Sequence, residues 1–345
     1  MTEFDAAASA ALTPLPEAGF RPAWWLRNPH VQSVLPSLKA LRGPLVARRA
    51  ARVLETSTQE IIDCGDGVRL LGHRSTQVAA GREPARDLVV LLHGWEGSAD
   101  SLYVLSLAAE LFDRGADVFR LNLRDHGDSH HLNKELFHSC RIAEVVGAVA
   151  RIAELSPDQR LAMGGFSLGG NFSLRVAARA PAAGIPLKRV VAVCPVLDPR
   201  RTLDALESGW WVYRDYFVLK WKRSLRLKQS CFPADYDFAE ILAMRSLRAM
   251  TDYLVRRHSE FPDLETYLRG YAIVGDALGA LELPSYILTS LDDPIIPSGD
   301  LEQLARSPYL DIVTTPAGGH CGFVERLGGS SWIDRKAAEL LLRAT

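Results

Sequence analysis

At 345 residues, 48% hydrophobic and 23% charged, the chain has a globular composition and the length for one large α/β domain carrying an insertion. Its formal net charge of −1 gives no global attraction to nucleic acid or an acidic membrane, so a nucleic-acid role is set aside. The five cysteines, Cys64, Cys140, Cys194, Cys231 and Cys321, are odd in number, widely spaced and without a CxxC pair, which argues against a disulfide framework or structural zinc and for reduced thiols in the cytoplasm.

The opening MTEFDAAASAALTPLPEAGF has no basic start and no apolar core, so it reads as a loose arm rather than a secretory signal. It belongs to an N-terminal stretch, 1–58, expected to pack on the core. No apolar run reaches the ~18 residues of a membrane span. IIDCGDGVRLLGH, from Ile61, predicts two strands around an Asp66–Gly67 turn. DLVVLLHG (Asp87–Gly94) is nearly continuous apolar sequence, the mark of a strand buried on both faces. Helix (from Ser98), strand (from Ala116), helix (from Ser139), strand (from Arg160), helix (from Leu168) and strand (Lys188–Asp198) follow with short connections. The pattern predicts a doubly wound, mostly parallel sheet covered by helices. Residues 199–283 then carry helical patterns and no convincing strand, a helical cap insertion. Asp198–Pro199 starts its first helix with an N-cap oxygen and Pro at the first helical position. Strand–helix alternation resumes at PSYILTSLDDP and LDIVTT, and Ser331 with Asp334 forms a capping-box start for the last helix. The core is thus 59–198 and 284–345.

Gly165-Phe166-Ser167-Leu168-Gly169 matches G-x-S-x-G. The pattern alone is weak, but here it follows a strand and opens a helix, as a nucleophile elbow requires. The glycines flanking such an elbow let strand and helix approach without a Cβ clash. A serine needs a base, and the base an orienting acid. TSLDDPIIP and PAGGHCGF supply them at the ends of two later strands. Asp293, immediately before the Pro-Ile-Ile-Pro turn, is assigned as the acid, with Asp292 the alternative, and His320 as the base. The oxyanion donors are assigned to the backbone N–H of Leu168, after the nucleophile, and of Trp95, after the strand ending His93-Gly94.

With these residues in place, the chain resembles the α/β-hydrolase superfamily in HGWEGS, NLRDHGDS, GFSLGG, LDDPIIP and GGHCGF. Within it the chain is similar to the YheT-like hydrolases, related to abhydrolase-domain lipid esterases, through FRPAWWLRNPHVQSVLPSL (Phe20–Leu38), the DDP acid segment and FPDLETYLRGYA. It departs from the R-G-H-G loop of many hydrolases in carrying Asp125 at the second position. The resemblance implies a carboxylic ester hydrolase acting on short- to medium-chain or lipid-like acyl esters, without a cofactor.

Rival signals are weaker. DHGDSHH, from Asp125, looks like a metal cluster, but His130 and His131 are adjacent and point to opposite faces of an extended chain. Cys321 adjoins His320 too closely in sequence for a Cys–His nucleophile. Gly209–Gln229 is aromatic, then basic, and reads as a cap helix over the site or as an interfacial helix touching a membrane surface. The residues favour a serine esterase. An acyltransferase with the same triad, separated by product analysis with an added acceptor, stays open. So do an amidase or peptidase and a non-catalytic ligand-binding protein on this scaffold.

Overall fold

The computed structural model describes residues 15–16 and 19–343. The opening read above as a loose arm lies outside them, apart from β1 (Leu15–Pro16) and the residues from 19 on. The other strands are β2 (Ser57–Asp63), β3 (Arg69–Ser75), β4 (Asp87–Leu92), β5 (Asp117–Leu121), β6 (Arg160–Phe166), β7 (Leu187–Val193), β8 (Ser285–Ser290) and β9 (Leu310–Thr315). They form one sheet in the order β1-β9-β8-β7-β6-β4-β5-β3-β2. Pairings from β4 and β5 through to β9 and β1 are parallel; only β2–β3 and β3–β5 are antiparallel. The β2–β3 turn places Asp66 and Gly67 at φ of 52° and 75°, the left-handed pair that matches strand twist in a tight hairpin.

The apolar runs are strands because both faces of the sheet are covered. Along β4, Leu88, Val90 and Leu92 enter one core while Val89 and Leu91 enter the other, the period-2 alternation of a pleated strand. The N-terminal segment supplies α1 (Pro29–Val34), α2 (Lys39–Arg49) and α3 (Ala51–Glu55), and the latter two pack on α4 (Leu102–Asp113). α5 (Ile142–Glu154) and α6 (Leu168–Ala177) contribute to the first core, and α4 to the second. Sequence reading drew no helix in residues 39–55. α2 carries Gly43 and an internal Pro44 and buries only Arg42 and Val46, so its apolar period is faint.

Between β7 and β8 lie α7 (Pro199–Ser208), α8 (Trp211–Cys231), α9 (Ala239–Ala243), α10 (Leu247–His258) and α11 (Leu264–Gly270). Side chains of Asp198, Ser246 and Asp263 accept backbone N–H groups at the starts of α7, α10 and α11, satisfying donors left orphaned by the helix. α12 (Trp332–Leu341) completes the second core from a capping box between Ser331 and Asp334. No helix among the described residues is long and apolar enough to cross a membrane.

Candidate active site

Ser167 is the junction of β6 and α6, at φ 53° and ψ −118°. A non-glycine residue there costs about 1–3 kcal/mol and persists only where its surroundings hold it. The Ser167 N–H donates to Val193 O at 2.8 Å, and its carbonyl accepts from Asn171 N at 3.0 Å. The two glycines of the motif are there for contact distance. A Cβ on Gly165 would lie 2.2 Å from Gly169 O, and one on Gly169 would lie 2.4 Å from His93 O. The elbow is packed against both the β6–α6 turn and the end of β4.

Asp293 and His320 come from the loops after β8 and β9. The Asp293 carboxylate is fully buried. Its Oδ1 accepts the Ile295 and Ile296 N–H groups at 2.8 and 3.0 Å, and its Oδ2 faces His320 Nδ1 at 2.8 Å. A carboxylate only accepts, so Nδ1 carries the proton and Nε2 keeps its lone pair. Asp292 does something else: its Oδ1 accepts the Gly319 N–H at 2.8 Å, steadying the loop before His320. The histidine loop reaches the elbow through Cys321. The Cys321 thiol donates to Val193 O at 3.8 Å, the same carbonyl oxygen that takes the Ser167 N–H. Burial pushes this thiol well above its ordinary range, so it stays protonated, unlike a nucleophilic cysteine.

The Trp95 and Leu168 amides have no acceptor among the described residues, and both residues border the same cavity as Ser167. The loop carrying Trp95 is fixed from several sides. Gly94 N donates to Tyr103 Oη at 3.1 Å, and Glu96 N donates to His126 Nε2 at 3.1 Å. His93 donates from Nδ1 to Gly94 O at 2.7 Å and accepts the Leu123 N–H on Nε2 at 3.1 Å. Burial holds His93 down at about 4 and His126 well below the usual histidine range, so both rings are neutral.

These bonds also account for the histidine-rich loop. His126 uses both nitrogens on backbone groups, and His130 Nε2 lies 2.9 Å from Ser224 Oγ. Asp125, the departure from the usual loop, pairs with Lys228 of α8 at 2.8 Å and accepts the Phe137 N–H at 2.8 Å. Both partners of this ion pair are buried. Sequence reading missed Lys228, whose only signal was a lysine on a helix opposite an out-of-place aspartate. Among the described residues, one set of metal-ligating side chains gathers within 4.8 Å: Cys194, His320 and Cys321. The protonated Cys321 thiol and the engaged Nδ1 of His320 suit a metal poorly.

The cavity beside Ser167 has a volume of about 120 Å³. Leu203 and Leu206 of α7, Phe217 and Trp221 of α8, and Leu247 and Leu254 of α10 wall it. α8 is tied to the Trp95 loop as well: Phe217 stacks on Trp95 at 5.1 Å, and Lys220 Nζ donates to Glu96 O at 2.9 Å.

Among known proteins, the chain is 24% identical over 275 residues to embryogenesis-associated protein EMB8 of Picea glauca, covering 74% of this chain and 58% of that one. It is 22% identical to a monoacylglycerol lipase of Saccharomyces cerevisiae, over 72% of this chain and 58% of the other. The chain therefore spans somewhat over half the length of these relatives. A Pyrococcus furiosus esterase superposes with a TM-score of 0.56 at 15% identity, covering 86% of this chain and 93% of the esterase. The sheet order, the strained serine and the Asp–His pair agree with a match of residues 87–327 to the family model of the alpha/beta hydrolase fold, and the chain belongs to that family.

Proposed function

We propose that the protein is a serine hydrolase of carboxylic esters. Ser167 Oγ attacks the acyl carbonyl, and His320 Nε2 takes its proton and passes it to the leaving alcohol. Asp293 keeps the imidazole in the Nδ1–H tautomer and stabilises its cation. The Trp95 and Leu168 amides donate to the developing oxyanion. Water then attacks the acyl-enzyme with His320 as base. The observation that carries this reading is the 2.8 Å bond from His320 to the buried Asp293 carboxylate, in a loop that shares the Val193 carbonyl with the strained Ser167.

An apolar cavity of about 120 Å³ favours short to medium acyl chains, since a cavity of roughly 150 Å³ takes a benzene. The names of the yeast lipase and the archaeal esterase agree with an acyl ester substrate. The test is hydrolysis of p-nitrophenyl esters from acetate to palmitate by wild type and Ser167→Ala. Turnover that peaks at a short or medium chain and vanishes in the variant supports the reading. Inactivity on every ester in both proteins overturns it in favour of acyl transfer or ligand binding.

The proposal extends to surroundings. The five free thiols suit a reducing cytoplasm. The outer side of α8 exposes Trp211, Leu219 and Leu227 beside Arg223 and Arg226, the composition of a headgroup-zone surface. Burial and the like charges of Arg226 and Arg245 hold Lys222 below the usual lysine range. An anionic membrane is the partner this face fits. Binding to anionic but not zwitterionic vesicles is expected, and indifference to anionic vesicles refutes it.

A further inference from the structure

The segment before the fold's first long strand reaches across the molecule to the histidine loop. The geometry points to residues 24–34 as a strap that positions His320, with Ser33 and Gln32 as positioning residues for the reaction proposed above, on which this inference rests.

The loop needs support. Within it Gly318, Gly319, Cys321 and Phe323 all have positive φ, at 153°, 56°, 61° and 47°, and two of these are non-glycine residues in a sparsely populated region. Asp293 fixes only the ring end of His320. The backbone end is fixed by Ser33, whose Oγ accepts the His320 N–H at 2.8 Å. That polarity is set, because the Ser33 hydroxyl proton is donated to Pro29 O at 2.7 Å. With both ends tied, the imidazole plane and the direction of Nε2 are determined.

Gln32 clamps the far side of the same loop. It is fully buried and uses both ends of its amide. Nε2 donates to Leu26 O at 2.7 Å and Val324 O at 2.9 Å, and Oε1 accepts the Val324 N–H at 2.8 Å. Backbone contact is closer than a side chain allows: a Cβ on Gly319 would lie 2.4 Å from Pro29 O, and one on Gly322 would lie 2.2 Å from Gln32 O. Leu26, Leu35 and Val324 close an apolar seal around these bonds. At its other side the strap meets the insertion, with His30 Nδ1 2.9 Å from Tyr213 Oη of α8. The strap lies outside residues 87–327 that match the family model. From there it contacts both the histidine loop and α8 of the insertion.

The test uses the full chain with Ser33→Ala, Ser33→Thr and Gln32→Ala. Three quantities are measured: the melting temperature, kcat and KM for p-nitrophenyl butyrate, and the low-field imidazole N–H proton signal assigned by its loss in His320→Gln. Positioning predicts that Ser33→Ala keeps its melting temperature but loses about 10- to 100-fold in kcat at nearly constant KM, since ångström-scale misplacement costs about that much. Its low-field signal broadens, and Ser33→Thr restores both. A Ser33→Ala protein with wild-type kcat and a sharp signal overturns the proposal. So does a Gln32→Ala protein that melts earlier while its folded fraction turns over at the wild-type rate, because that is structural support alone. If Ser167→Ala leaves ester turnover unchanged, the esterase reading fails, and the proton signal still decides the strap.

Discussion

Replacing Gly169 by alanine sets a Cβ 2.4 Å from His93 O and 2.7 Å from Leu92 O, where ordinary contact begins at 3.4 Å. Both obstacles are backbone, so neither can rotate away. The end of β4 and the start of α6 must part by about 1 Å, and overpacking of this kind costs about 1–3 kcal/mol of stability. The two displaced segments carry the reacting parts, with His93 two residues before Trp95 and Gly169 two residues after Ser167. The separation therefore falls on the distance between the proposed nucleophile and the Trp95 amide, and about 1 Å there costs about 10²-fold in rate. The assay is kcat on p-nitrophenyl butyrate, normalised to serine titrated by a fluorophosphonate, with a melting curve for each protein. Gly328→Ala is the control, since nothing lies within 4 Å of its added Cβ. A folded Gly169→Ala enzyme within about twofold of wild-type kcat refutes the account of the elbow.

Asp293→Asn reverses the hydrogen-bond demand at His320 Nδ1 and is expected to lower kcat by about 10⁴-fold. Asp292→Asn keeps an oxygen for the Gly319 amide and loses far less; equal losses in the two variants contradict the division of roles. Lys228→Met leaves the buried Asp125 carboxylate unpaired, which costs about 3–5 kcal/mol, read as a lower urea midpoint that Asp125→Asn in the same chain partly restores. Stability should fall as pH drops from 6.5 towards 4. His93, His130 and His138 are held down at about 4, and His126 well below the usual histidine range, by burial first. The unfolded chain therefore binds protons that the folded one refuses, at up to about 3 kcal/mol per ring. Glu96 and Asp300, raised by burial to about 8 and 6, and Asp125, raised by burial as well, pull the other way but are outnumbered. A urea midpoint that is flat or rises between pH 6.5 and 4.5 contradicts this balance.

Legibility followed range in sequence. β4, β6, β7 and β8 were readable because burial on both faces writes a continuous apolar run into a few residues. The elbow was readable because its serine, glycines, strand and helix are contiguous. Asp293 was legible ahead of Asp292 from its place before the Pro-Ile-Ile-Pro turn, and its Oδ2 is the one that lies 2.8 Å from His320 Nδ1, while Asp292 holds the Gly319 amide. The contacts that escaped reading are those between distant segments. Ser33 meets His320 across 287 positions, and Lys228 meets Asp125 across 103. Neither leaves a local period. The residues 20–38 were recognisable as a signature, yet their sequence held no hint of what they touch.

α8 bears on substrate entry. It is joined to the Asp125 loop by a buried ion pair, to the Trp95 loop by a stacked ring and a lysine, and to the strap by Tyr213. Swinging it outward as a door would strip the Trp95 loop of its support at the moment substrate arrives. α10 is held differently. Its residues and its capping Ser246 bond by side chain to Glu207, Asp204 and Glu240, all within the insertion, while Leu247 and Leu254 face the cavity. For the ester hydrolysis proposed above, admission of the acyl chain thus falls to α10, and the holding of the reacting carbonyl to α8. Divided in this way, the chain-length preference can drift by substitutions along α10 without disturbing the machinery of bond cleavage.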